Sequence, residues 1–190
     1  MKKFLVVICM CIASYSHAKN VQFGLKGGLN FINTVGADVG DPDTKAGLYL
    51  GGFLNAHITK GFFFQPEILY STQGRFMEDK DNKIEASYLN IPLLLKMTLG
   101  GSDKAHLYAG PQLGFLLNAE QEVKQQKVTQ ITDITDSMNA VDFSLNLGFS
   151  FNVNYDLVID LRYNRSLTKL FKDGSKAYNS LIQLGASYSF

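Results

Sequence analysis

The stretch VDFSLNLGFSFNV, Val141 to Val153, alternates apolar and polar side chains over thirteen residues. Val141, Phe143, Leu145, Leu147, Phe149, Phe151 and Val153 share one face. Asp142, Ser144, Asn146, Gly148, Ser150 and Asn152 share the other. A period of two residues is the signature of a β-strand, and few soluble strands run so long without interruption. The same alternation recurs outward from this segment in both directions. Ile182, Leu184, Ala186, Tyr188 and Phe190 oppose Gln183, Gly185, Ser187 and Ser189. Leu157, Ile159, Leu161 and Tyr163 oppose Val158, Asp160, Arg162 and Asn164. Near the start, Val21, Phe23, Leu25, Leu29 and Phe31 alternate with Gln22, Gly24, Lys26, Gly28 and Asn30.

Four further segments, 46–58, 62–74, 85–99 and 104–118, bring the number of expected strands to eight. Most are long enough for the roughly 9–11 residues that a tilted membrane-spanning strand needs. The connections are sorted as well. Residues 33–45, 75–84, 119–138 and 167–177 are long and polar, whereas Thr59-Lys60, Gly100 to Asp103 and Asn154-Tyr155 are short. Outer-membrane barrels place short turns on the periplasmic side and long loops outside. The expected fold is therefore all-β: an eight-stranded antiparallel up-and-down transmembrane β-barrel. A soluble lipocalin-like barrel would turn the apolar face inward, toward a ligand. The loop sorting and the final Phe190 favour the membrane. Pro66, Pro92 and Pro111 conflict with this reading, because each removes a ladder donor from a sheet that has no free edge; bulges or bends are expected there.

The N-terminus explains how such a chain would leave the cytoplasm. Lys2 and Lys3 precede the apolar run Phe4 to Ala13, and Ser16-His17-Ala18 offers small residues to a signal peptidase. Residues 1–18 read as a cleaved signal peptide and 19–190 as the barrel domain. Cys9 and Cys11 fall within the expected leader, so no disulfide framework, thiol nucleophile or cysteine-built metal site is expected in the body. Basic residues number 18 against 17 acidic, a formal net charge of +1. That balance does not suit a nucleic-acid binder.

The polar face carries six charges: Lys26, Lys96 and Arg162 against Glu67, Asp142 and Asp160. Three acids matched by three bases read as an ionic plug, since a confined lumen tolerates charges that are paired and hydrogen-bonded. Eight strands enclose a space that side chains can fill. The same carboxylates could be drawn as an acid–base cluster, but no catalytic motif accompanies them. After processing, His57 and His106 are the remaining histidines. They fall at the short-turn end and read as lumen or rim hydrogen-bonding groups rather than catalysts. The acidic loop residues lack the spacing and glycine of a calcium loop. No catalytic residue, cofactor or metal is expected. Phe23, Phe62, Phe64, Phe151, Tyr188 and Phe190 fall near one rim, and Phe31, Tyr70 and Tyr163 near the other, as interfacial girdles do.

Two groups of residues carry a resemblance. Leu184, Ala186, Tyr188 and Phe190 resemble the C-terminal signature of bacterial outer-membrane barrels, which implies recognition by the barrel-assembly machinery. FGLKGGLNF (Phe23 to Phe31), FFFQPEILYSTQG (Phe62 to Gly74), YLNIPLLLK (Tyr88 to Lys96) and the Gly110-Pro111 strand resemble the PorT-type outer-membrane β-barrel family of Bacteroidetes. The resemblance covers nearly all of the expected mature chain. It implies an eight-stranded barrel integral to the outer membrane, in contact with lipid and lipopolysaccharide. The family's named member is linked to protein secretion, so secretion-system proteins are implied partners. The expected role is a small structural or interaction barrel with a largely closed lumen and long polar loops outside. Accessory work in secretion or outer-membrane assembly is the alternative. A lipid A-modifying enzyme and a narrow porin fit the residues less well.

Overall fold

In a computed structural model, residues 21–35, 45–76, 82–100, 104–125, 128–172 and 177–190 are described. The expected signal peptide, residues 1–18, lies outside them. The described chain is almost entirely strand: β1 (Val21–Val35), β2 (Lys45–Thr59), β3 (Phe62–Phe76), β4 (Asn82–Leu99), β5 (Ala105–Gln125), β6 (Val128–Asp133), β7 (Val141–Asn152), β8 (Leu157–Ser166) and β9 (Tyr178–Ser189). All pairings are antiparallel. The sheet runs β4-β3-β2-β1-β9-β8-β7-β5, and a β4–β5 ladder joins its ends into a closed eight-stranded barrel. The ninth strand, β6, pairs only with the far part of β5.

Closure follows from the solvent that the alternation anticipates. Hydrocarbon offers no hydrogen bonds, so a spanning sheet has to satisfy its own edges by closing. The faces sort accordingly. On β7 and β8 the burial alternates residue by residue. Leu161 is 52% exposed on the outside, whereas its neighbour Arg162 is 1% exposed inside. Leu50, Ile68, Leu95 and Leu147 belong to the same outward apolar belt. Aromatic side chains edge it: Phe23, Phe62, Phe64, Phe151, Tyr188 and Phe190 are exposed toward the short-turn end, and Phe31, Tyr70 and Tyr163 toward the other.

The short turns are built for tight reversal. Gly61 and Gly100 adopt positive φ, at 79° and 71°, a conformation that costs glycine no Cβ clash. In the third turn the Asn154 side-chain oxygen accepts from the amides of Asp156 and Leu157, at 2.9 and 2.7 Å, so the side chain itself closes the loop.

Two expectations need correction. The prolines do not shift the register. Pro66 faces Leu93, Pro92 faces Gln112 and Pro111 faces Leu145, each in the same register as the pairs on either side. The register shifts lie elsewhere, between His57 and Thr59 beside a turn and between Ser87 and Tyr88. Each interior strand residue bonds to one neighbour at a time, so a proline forfeits a single N–H and leaves the rest of the ladder to hold the alignment. Second, residues 119–138 are not a plain loop. β5 runs for 21 residues, about twice what a bilayer requires. Its surplus pairs with β4 and β6 beyond the barrel wall, and a single 3-10 turn, Thr135–Ser137, follows.

The orientation of the faces makes a direct prediction. Leu161→Arg, one residue from the buried Arg162, places a charge in hydrocarbon and is expected to cost about 2–4 kcal/mol. Leu161→Val should cost much less. Urea unfolding of both variants in lipid vesicles, followed by the boiling-dependent shift in gel mobility, measures the difference.

Candidate lumen site

The polar faces of β1, β3, β5 and β8 meet at mid-barrel. Lys26 donates to Asp160 Oδ1 at 2.7 Å and its ammonium lies 3.5 Å from Glu67 Oε1. Arg162 donates through both terminal nitrogens to the two Glu67 oxygens, each at 2.8 Å. This is the bidentate fork that guanidinium and carboxylate planes favour. Gln65 adds a hydrogen bond to Glu67 Oε1 at 2.7 Å. Tyr108 donates to Asp160 at 2.8 Å, and its ring has the Arg162 guanidinium 5.2 Å and the Lys26 ammonium 5.8 Å from its centroid. Two cations and two anions cancel one another, and hydrogen bonds spread the charge. That combination is what makes a buried ionic group tolerable.

Glycine opposite the rings makes the space. A Cβ at Gly148 would collide with the Tyr108 ring, and one at Gly185 would collide with the Tyr49 hydroxyl. The large inward side chains of β2 and β5 therefore depend on the smallest residue on β7 and β9.

Beyond this cluster, on the side of the long connections, amides and hydroxyls fill the lumen, with Asp142 the one carboxylate of the six charged residues among them. Gln183 donates to Asn30 at 2.7 Å, Asn30 to Ser71 at 2.8 Å, and Asn164 to both Ser144 and Asn146 at 3.0 Å. Nearer that mouth the filling turns apolar. Met138, 1% exposed, packs with Ala86, Tyr88 and Ala119, and Ile134, Leu170 and Phe171 lie against them. The segments that follow β6 and β8 hold each other there. The Asn139 amide nitrogens bond to the carbonyls of Leu170 and Lys169 at 3.1 and 2.7 Å, and the Lys172 amide bonds to Ser137 at 3.2 Å.

Of the six charged residues singled out in the sequence, four form the mid-barrel cluster. Asp142 and Lys96 do not join it, so the expected matching of three acids with three bases is replaced by two pairs and two separate groups. Asp142 lies nearer the long-connection end of β7 and accepts from the Ser166 hydroxyl. Lys96 is buried at 8% exposure and lies on the short-turn side of the cluster. Sequence reasoning did not anticipate Tyr108 and Gln65 as members of the cluster, nor the Met138 lid. Their inward phase was readable, but not the height at which each strand would present them. His106 is buried and His57 exposed, and both flank Phe63 with ring centroids 5.8 and 4.0 Å away.

Outside the wall, Lys83 pairs with Glu122 at 2.7 Å and Glu85 at 3.3 Å; the Glu122 hydrogen bond raises the Lys83 ammonium above its usual value, with Glu85 adding to it. Hydrogen bonds from the Thr135 hydroxyl and amide hold the Asp133 carboxyl below its ordinary range.

A family model described as outer membrane protein beta-barrel domain matches residues 13–172. No curated protein matches the chain in sequence. Among solved structures, the chain resembles Neisserial surface protein A with a TM-score of 0.61 and 11% identity, covering 88% of this chain and 97% of that one. It resembles the attachment invasion locus protein Ail of Yersinia pestis, solved with the heparin analogue sucrose octasulfate, with a TM-score of 0.57 and 15% identity, covering 90% of this chain and 99% of that one. At such identities the likeness is one of fold.

The cluster predicts a double-mutant cycle. Arg162→Met alone leaves the buried Glu67 with the longer Lys26 contact and the Gln65 hydrogen bond in place of its bidentate partner and should cost about 3–5 kcal/mol, while Arg162→Met with Glu67→Gln should recover most of that loss. Unfolding midpoints of the refolded barrel report both.

Proposed function

We propose a structural and interaction role for this chain, which belongs to the outer membrane protein beta-barrel domain family and is an integral protein of the outer membrane. The observation that supports the reading is the filling of the lumen among the described residues: the Arg162–Glu67 and Lys26–Asp160 pairs at mid-height and the apolar group around Met138 near the mouth. On the side of the long connections, β5 and β6 project beyond the barrel. This face would meet lipopolysaccharide and whatever the protein contacts outside the cell. The reading assigns no catalytic residue. His57 and His106 lie at the short-turn, periplasmic end, remote from the lipid A leaflet.

An accessory role in protein secretion or outer-membrane assembly is a second reading. It is favoured by the PorT-type blocks Phe23 to Phe31, Phe62 to Gly74 and Tyr88 to Lys96. A clean deletion would then leave secreted cargo in the periplasm, and unchanged secretion would remove this reading.

The main proposal predicts little or no conductance for the purified, boiling-sensitive barrel in planar bilayers; stable large channels would overturn it. We also propose that Leu184, Ala186, Tyr188 and Phe190 form the signal read by the barrel-assembly machinery. Phe190 ends beside the first strand, its amide bonding to Phe23 at 2.9 Å and its ring 6.1 Å from that of Phe23. Phe190→Ser is expected to slow folding into liposomes that contain the machinery more than folding into detergent. Equal slowing in both would mean that Phe190 acts through the seam between β1 and β9 alone.

A further inference from the structure

A cavity of about 630 Å3 occupies the periplasmic end of the barrel, between the short turns and the ion cluster. It lies opposite the face to which the interaction role is assigned and does not depend on that role. Its size falls within the roughly 300–1,000 Å3 of small-ligand sites. The Lys26–Asp160 pair and Tyr108 form part of its lining, so it is a blind vestibule rather than a pore.

The charge of the vestibule does not balance. Lys26, Lys96 and Lys104 line it against a single carboxylate, Asp160. Lys26 is matched by Asp160 and Arg162 by Glu67. Lys104, at a turn, is exposed to water. Lys96 is the surplus. Its side chain is more than nine-tenths buried, it borders the cavity, and among the described residues it has no hydrogen bond or ion pair. Its ammonium opens on the cavity rather than onto a fixed partner, so it is available to an anion that enters.

The surroundings of Lys96 suit an oxyanion attached to an apolar body. Across the ladders it faces Phe63 on β3 and Tyr108 on β5. Phe53 and Phe63 supply apolar wall, and Ser150 Oγ, also buried in the lining, has no hydrogen-bond partner among the described residues. Asn55 Oδ1 and Asp160 Oδ2 are further buried atoms without a partner among the described residues, able to accept from a hydroxyl or amine on the same molecule.

We propose that this vestibule binds a small organic anion from the periplasmic side, with its carboxylate or phosphate on Lys96 and its apolar part against Phe53 and Phe63. The test uses the full mature barrel in zwitterionic detergent and three probes, benzoate, acetate and inorganic phosphate, titrated by calorimetry. Benzoate is expected to bind saturably with a Kd of about 1 mM or tighter, and more tightly than acetate. Lys96→Met should weaken benzoate by about tenfold or more while the boiling-dependent gel shift persists and the unfolding midpoint stays level or rises. Lys96→Gln serves as a second variant, with the same expected loss, should the methionine fail to fold. Lys104→Gln should leave binding within about twofold, as an exposed cation contributes little. Repeating the titration in nanodiscs with and without anionic phospholipid separates the two sources of the anion. Competition by the anionic lipid assigns the site to a headgroup phosphate, and its absence assigns it to a free periplasmic anion. No saturable binding of any of the three probes, or binding that survives loss of the Lys96 charge in a folded variant, overturns the proposal.

Discussion

The rest of the structure depends on the absence of hydrogen-bonding partners in hydrocarbon. Every backbone amide and carbonyl of the wall has to be met by another strand, so the sheet closes, β4 against β5. Closure then fixes two environments. Leu50, Ile68, Leu95, Leu147 and Leu161 go to lipid, and everything that lipid rejects is forced inward. The charged interior is thus a consequence of the greasy exterior. Once inside, Arg162, Glu67, Lys26 and Asp160 survive by neutralising one another, with Tyr108 and Gln65 taking up remaining hydrogen-bonding capacity.

Each half of the barrel departs from that rule in its own way. Toward the outside the lumen grades from ions to amides to an apolar lid, where Met138 meets Tyr88 and Ala119. The strands outrun the membrane there, and β5 carries its ladder on to β6. Away from the bilayer, an inward face need not be polar. Toward the periplasm the opposite happens: the filling stops short, and Lys96 is left buried beside open space. The asymmetry separates the surface that could meet partners from the cavity that could meet small molecules.

Much of this was legible in the residues because strand alternation is a local property. The run from Val141 to Val153 declares which side chains share a face wherever the strand ends up, and the short connections Thr59-Lys60 and Asn154-Tyr155 declare antiparallel neighbours. Such signals also placed Lys26, Glu67, Lys96, Asp160 and Arg162 on the inward face. They failed where a local signal has more than one outcome. Residues 119–138 are polar enough to read as a loop, yet β5 and β6 pair through them, because in water a polar strand is as good as a polar loop once it has a partner. Pro66, Pro92 and Pro111 look like breaks, but the ladder on either side of each is long enough to carry the register past them.

The sequence by itself determined the barrel, its strand number, its two faces and the ends at which its turns and loops lie, since each follows from neighbours along the chain. Only the tertiary structure decided who meets whom across the lumen. Glu67 and Arg162 are 95 residues apart and Lys26 and Asp160 are 134 apart. Whether they stand at one height depends on the stagger accumulated around all eight strands. That stagger joined four charges into a cluster, sent Asp142 to Ser166 and left Lys96 facing a cavity. No stretch of the chain encodes it locally, because it is a sum over the whole circumference.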